Sequence, residues 1–198
     1  NGFLWFGTQG GVAKFNGIEF ITYSQKDGLA DNHVTSIQQD DDGNMWFGHR
    51  FDGVSCLTNG QIITLKRDSV NKTISHLSKW KNGVIAIEEH KRIFILELKK
   101  NELIVTNTIK VDTNKIKRIN KSLHTKNGLL IAADKGLFLL NNQLELKAQG
   151  GNKYEVYDLD QKKNGDWVLC TSLGIKLLSK EFKEIGQVET EHLYNILE

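Results

Sequence analysis

An all-β propeller of four-stranded antiparallel blades is the fold this sequence predicts, and three observations predict it. A Gly- or Asn-marked turn opens onto a short apolar strand five times, starting near residues 2, 43, 82, 127 and 165. The intervals of 41, 39, 45 and 38 residues, filled with β-type sequence, have the period of propeller blades. The repeated strand is apolar on both faces, with Leu4 and Phe6 on one and Phe3 and Trp5 on the other. A sheet with one wet face alternates instead, so each blade is expected to be sandwiched between neighbours.

Each repeat reads in the same order. The apolar strand, called B, runs through Leu4-Trp5-Phe6, Met45-Trp46-Phe47, Val84-Ile85-Ala86-Ile87, Leu129-Leu130-Ile131-Ala132 and Trp167-Val168-Leu169-Cys170. Strand C follows after a short turn, at Gly11–Phe15, Gly53–Leu57, Arg92–Leu96, Gly136–Leu140 and Gly174–Leu178. The leading glycine supplies a positive φ without a Cβ clash. Arg92 lacks that freedom, so its turn is expected to differ.

Asn16-Gly17 and Asn59-Gly60 end strand C with the strongest short hairpin signal. Lys100-Asn101 and Asn141-Asn142 stand in matching places. An outer strand D then covers Glu19–Tyr23, Gln61–Lys66, Leu103–Ile109, Gln143–Lys147 and Phe182–Ile185. A polar stretch leads to strand A of the next unit: Val34–Ile37, Ile74–Leu77, Ile116–Leu123, Val156–Leu159 and Leu193–Leu197. Connections this short permit only an antiparallel meander.

The 198 residues are read as one domain, since a single repeat cannot bury its own apolar face. The chain begins at strand B and ends at strand A. It fits a closed five-bladed ring, completed by Leu193–Leu197, or part of a larger, seven-bladed ring. With no initiating Met and no signal peptide, and Asn1 against the first strand, it reads as an excised piece of a longer protein.

Lys and Arg number 26 against 24 Asp and Glu, a formal charge of +2, which makes no electrostatic case for nucleic acid. No apolar run reaches the roughly 18 residues of a membrane span. Cys56 and Cys170 fall at different positions of the repeat, which argues against a disulfide, and no Cys/His metal spacing exists. Asp40-Asp41-Asp42-Gly43-Asn44 invites a calcium reading, but Gln38 stands where the first acidic ligand belongs, and a plain β-turn is favoured. Asn71-Lys72-Thr73 and Asn120-Lys121-Ser122 fit a glycosylation pattern that is common by chance. No nucleophile elbow or phosphate loop appears, and no cofactor, metal or catalytic residue is assigned.

Leu4-Trp5-Phe6-Gly7-Thr8-Gln9-Gly10-Gly11-Val12-Ala13-Lys14-Phe15-Asn16-Gly17 is similar to the repeat of the two-component regulator propeller family. So is the stretch from Asp27-Gly28-Leu29 to Met45-Trp46-Phe47-Gly48, which spans a blade boundary. The resemblance is specific over residues 1 to 60 and degenerate afterwards, where Ile87, Ala132 and Cys170 replace Gly48. It implies a periplasmic or extracytoplasmic sensing module of an inner-membrane protein, a hybrid histidine kinase or related regulator. It brings no catalytic residues, and the family norm of seven-bladed rings suits a partial ring.

Ligands of such rings bind on the face formed by the D–A and B–C loops. The candidate ligand-binding residues there are Asp31, Asn32, His33, Arg50, Phe51, Asp52, Arg92 and Tyr154. Arg50-Phe51-Asp52 combines an aromatic platform with planar hydrogen-bonding groups, which suits a carbohydrate. Its turn is one residue longer than its counterpart. His33 precedes strand A and points to the channel mouth, whereas His76 within strand A reads as a packed, hydrogen-bonded residue. The partners expected are an oligosaccharide or other small ligand and a second protomer through the parent protein, with the membrane met only through that parent. A free-standing enzyme of lyase or glycosidase type and a protein-interaction scaffold are the alternatives.

Overall fold

A computed structural model of the chain describes residues 2–65, 73–89, 92–150 and 153–188. The contacts divide it into two compact units, Asn1–Val111 and Asp112–Glu198. In the first unit, β1 (Leu4–Thr8), β2 (Gly11–Phe15) and β3 (Phe20–Tyr23) form a three-stranded sheet. The second sheet is β4 (Val34–Gln39), β5 (Met45–His49), β6 (Val54–Thr58) and β7 (Gln61–Thr64). The third is β8 (Ile74–Trp80), β9 (Gly83–Glu88), β10 (Arg92–Lys99) and β11 (Glu102–Lys110).

The second unit holds two four-stranded sheets. One is β12 (Ile119–Thr125), β13 (Gly128–Ala133), β14 (Gly136–Asn141) and β15 (Leu146–Gly150). The other is β16 (Val156–Gln161), β17 (Trp167–Thr171), β18 (Gly174–Leu178) and β19 (Glu184–Val188). Every pairing is antiparallel between chain neighbours, the meander that the short connections require.

The B strands are two-faced as read. On β5, Met45 and Phe47 join Val12, Leu29 and Val34 in a core against the first sheet. Trp46 joins Ile74, Leu77, Ala86 and Phe94 in a second core against the third sheet. In the second unit, Leu130 and Ala132 pack with Val156, Leu159, Trp167 and Leu169. Gly48 shows why the repeat carries glycine: a Cβ there would lie 2.8 Å from Ile74 Cγ2, and at Gly7 it would lie 2.7 Å from Val34 Cγ1. The first residue of each following A strand occupies that space. The first sheet departs from the expected sandwich. Leu4 is 59% and Phe6 45% exposed, because no described strand of this unit covers that face.

The turns hold with two corrections. Asn59 and Gly60 both take positive φ (48° and 78°), as do Lys100 and Asn101 (49° and 60°), giving the tight two-residue hairpins expected. Asn16-Gly17, in contrast, opens a four-residue turn between paired Phe15 and Phe20, with Asn16 Oδ1 accepting from the Ile18 and Glu19 N–H groups. Asn141 does the same for Gln143 and Glu145, Leu144 takes the positive φ (67°), and β15 starts at Leu146 rather than Gln143. Asparagine side chains there act as acceptors within the turn. Glycine at the start of β2, β14 and β18 and before β6 takes positive φ as predicted. Residues 90 and 91, next before Arg92 in sequence, lie outside the described residues, as do Lys66 and Leu193–Leu197.

The acidic run is a turn. Asp40, 8% exposed, accepts through Oδ1 from the N–H groups of Asp42 and Asn44. Its Oδ2 accepts from Asn44 Nδ2 and, at 2.7 Å, from Trp46 Nε1. Four acceptor contacts on one side chain lock the A–B turn to the sandwiched tryptophan. Both cysteines are free thiols, Cys56 buried and Cys170 exposed.

Candidate functional site

Each described A strand carries a β-bulge at its second residue, Thr35, Ser75, Asn120 and Tyr157. A bulge bends the strand end and re-aims side chains, and bulges recur beside functional sites. The residue before each A strand accepts from the first N–H after the neighbouring B strand. The pairs are His33 with Arg50 (2.9 Å), Thr73 with Glu89 (3.1 Å), Arg118 with Asp134 (3.0 Å) and Glu155 with Ser172 (3.0 Å). These bonds fasten the D–A loop to the B–C loop in each of the four sheets with a described A strand.

At this end of the first unit the loops are tied in sequence. Asp31 Oδ2 accepts from the Phe51 N–H at 3.1 Å. The Arg50 carbonyl accepts from Thr73 Oγ1 at 2.8 Å. Three residues, Arg50, Phe51 and Asp52, stand between His49 and Gly53, against two, Gln9 and Gly10, between Thr8 and Gly11. Phe51 is 60% exposed, and the Arg50 guanidinium lies 5.7 Å from its ring centre. Asp52 closes the loop at φ +58°. The structure therefore brings Asp31, His33, Arg50, Phe51 and Asp52 together.

Asn32 serves the loop itself: its Oδ1 accepts from the Gln25 N–H at 2.8 Å, next to a 3₁₀ turn at Gln25–Asp27. Ser24 and Asp27 cap that turn reciprocally, and those hydrogen bonds hold the Asp27 carboxyl below the usual range. Arg92 is committed to Glu88, Nε to Oε2 at 2.7 Å and Nη2 to Oε1 at 2.5 Å, with its guanidinium 4.9 Å from the Phe94 ring. Glu88 is 1% exposed, so this bidentate pair satisfies a buried charge. Tyr154 belongs to the second unit, half-buried against the core there, with Lys176 Nζ 5.6 Å from its ring. Burial pushes its phenol up.

His49 opens the Arg50–Phe51–Asp52 turn and was not among the candidate residues. It ends β5, all of whose residues are buried, and is itself 0% exposed. Burial pushes its imidazole down to about 4, against the opposing charges of Asp31 and Asp52. Its Nε2 lies 2.9 Å from Ser55 Oγ, which also accepts from the Ala30 N–H at 2.9 Å. A histidine, a serine and a nearby aspartate have the membership of a nucleophilic site. Here Ser55 is also 0% exposed, so no substrate reaches its oxygen. The pair is a buried strut beneath the Arg50–Phe51–Asp52 turn. The signal for it was a polar side chain on a strand apolar on both faces, which needs a buried partner.

Elsewhere, His76 Nδ1 lies 3.1 Å from Ser75 Oγ, within the bonded strand expected. Asn120, in the glycosylation pattern, gives its Nδ2 to Glu155 Oε1 (3.0 Å) and to the Val156 carbonyl (2.8 Å). Asn71 and Lys72 lie outside the described residues. Among the described residues, no group of three His, Cys, Asp or Glu is placed to hold a metal ion, and no helix is long and apolar enough to cross a membrane.

Residues 28–51 match the family model described as two component regulator propeller. No curated protein matches the chain. Among solved structures the chain is similar to PorZ, described as an essential bacterial surface component of the type-IX secretion system of Porphyromonas gingivalis. The match has TM-score 0.72 at 18% identity and covers 96% of this chain and 33% of that one. It is similar to the extracellular domain of the putative hybrid two component system BT3049 from B. thetaiotaomicron, with TM-score 0.68 at 16% identity, covering 96% and 28%. The WD40 beta propeller domain of Doa1 matches at TM-score 0.64 and 13% identity, covering 96% and 65%. The chain thus spans about a third of the length of the first two. The protein is a run of β-propeller blades of which residues 28–51 match the two component regulator propeller model.

Proposed function

We propose that this chain is an extracytoplasmic sensing module of a two-component signal transduction regulator that takes a small oligosaccharide at the loop end of its first unit. The Arg50–Phe51–Asp52 turn carries this reading. It presents an exposed aromatic face, a guanidinium beside it and carboxylates at Asp31 and Asp52. A ring platform with a few placed polar groups is how shallow sites orient a polar ligand. The matched segment, 28–51, contains Asp31, Asn32, His33, Arg50 and Phe51. The chain's likeness to the extracellular domain of a putative hybrid two component system supports the extracytoplasmic placement.

The D–A and B–C loops of the first unit are tied to each other by repeated backbone bonds, so ligand binding would move that unit as a rigid body. The signal would be a change in how two protomers of the parent protein meet, read by its kinase. The test is a thermal-shift screen of neutral and acidic oligosaccharides on the full chain, repeated on Phe51→Ala. A saturable rise in melting temperature, governed by mass action, is expected for the chain and is lost in the variant. Because Phe51 is exposed, the variant should unfold within about 0.5 kcal/mol of the parent. No stabilising sugar, or stabilisation unchanged by the substitution, would sink the proposal.

A further inference from the structure

The second unit carries a groove at the end opposite its bonded Arg118–Glu155 edge, between the fourth and fifth sheets. Its volume is about 690 Å³, and Lys126, Lys163, Lys180, Trp167 and Phe182 line it. That size lies within the range of small-molecule sites. Lys121, Lys147 and Lys176 of this unit are ion-paired, with Asp158 at 3.2 Å, Glu145 at 2.6 Å and Glu184 at 2.8 Å. Among the described residues, the ammonium groups of Lys126, Lys163 and Lys180 have no acidic partner. Glu181 also lines the groove, and its carboxylate accepts from the Ser179 hydroxyl at 3.0 Å.

An independent observation lies beneath the lysines. Trp167 is 3% exposed, and its Nε1–H meets no acceptor. Buried donors are nearly always satisfied. Trp46 is the contrast, with its Nε1–H taken by Asp40. The fifth sheet makes the same A–B turn, with Lys162 N–H to the Asp166 carbonyl and Gly165 N–H to the Lys162 carbonyl, but it has lysine where Asp40 stands. That lysine is Lys162, and Trp167 stands in the register of Met45 rather than of Trp46, its indole N–H without an acceptor behind the Lys162-Lys163 turn.

We propose that this groove binds a small ligand bearing an oxyanion. Three ammonium groups hold the carboxylate, sulfate or phosphate as point charges, and one ligand oxygen accepts the Trp167 Nε1–H. The Phe182 ring, stacked on the indole at a centroid distance of 5.6 Å and 14°, is the group that shifts to admit that oxygen, since Nε1 is closed to solvent. The groove is separate in sequence and chemistry from the Arg50–Phe51–Asp52 turn, so the two proposals fail independently.

The test is a titration of the ¹⁵N-labelled full chain with phosphate, sulfate, citrate and glucuronate in turn, at ionic strength held constant with chloride. The indole Nε1–H resonances are followed, with that of Trp167 assigned through Trp167→Phe. At least one probe should move the Trp167 resonance saturably and leave Trp46 in place, and the responding probe identifies the oxyanion. The exposed-surface triple variant Lys126→Gln/Lys163→Gln/Lys180→Gln should weaken that response about tenfold, as losing three modest charge pairs implies. No saturable shift with any probe, equal movement of all indoles, or a response unchanged in the triple variant would overturn the proposal.

Discussion

Lowering the pH should destabilise this protein through one buried side chain, and His49→Gln should remove that part of the loss. In the folded chain burial holds the His49 imidazole at about 4, against an ordinary 6.5. The folded state thus keeps it neutral where the unfolded chain protonates it, so the unfolded state binds more protons between these values. Stability from this group is highest above pH 6.5, falls as pH drops through the window, and levels off below about 4. At about 1.4 kcal/mol per pH unit the full loss is about 3 kcal/mol. Asp31 and Asp52 oppose the shift without cancelling it. The assay is urea unfolding at pH 7.5 and 4.5 for both proteins. Carboxylates elsewhere titrate alike in the two and drop out of the comparison. The parent should lose about 2–3 kcal/mol more than His49→Gln over this interval. Equal losses would refute the assignment of a buried neutral histidine.

Gly48→Ala places a Cβ 2.8 Å from Ile74 Cγ2 and 3.4 Å from Leu77 Cγ. It should cost about 1–3 kcal/mol by overpacking, and a urea double-mutant cycle with Ile74→Ala should recover part of that. Asp40→Ala strips an acceptor from the buried Trp46 Nε1–H and from two turn amides. A loss of about 3 kcal/mol is expected in the same assay, whereas no measurable change would mean that water replaces the carboxylate. Arg92→Ala strands the buried Glu88 carboxylate. It should cost about 3 kcal/mol, and Arg92→Lys should recover only part, since an ammonium cannot reproduce the fork.

Much of the candidate site's frame was legible in the chain. The longer B–C turn could be counted against Gln9-Gly10, and the exposed position of Phe51 followed from its place in that turn. The partners of the candidate residues were not legible. Arg92 and Phe51 looked alike as loop residues, yet one neutralises buried Glu88 and the other stands free of the surface. Asn32 was read as a ligand contact, and its Oδ1 is taken by the Gln25 N–H of its own loop. Tyr154 looked like a rim residue and is packed against the core of its own unit.

The sequence by itself determined the period, the four-strand order of the blade and the glycine-led turns. These rest on local chemistry: alternation along a strand, and the φ that only glycine or asparagine takes cheaply. Only the tertiary structure decided what happens between blades. The space that forbids a Cβ at Gly48 belongs to Ile74, the partner of His49 is Ser55, and the groove over Trp167 joins Lys126 to Lys180. Such pairings depend on how neighbouring sheets stack, and that stacking is set by the summed packing of whole faces rather than by any short stretch of chain.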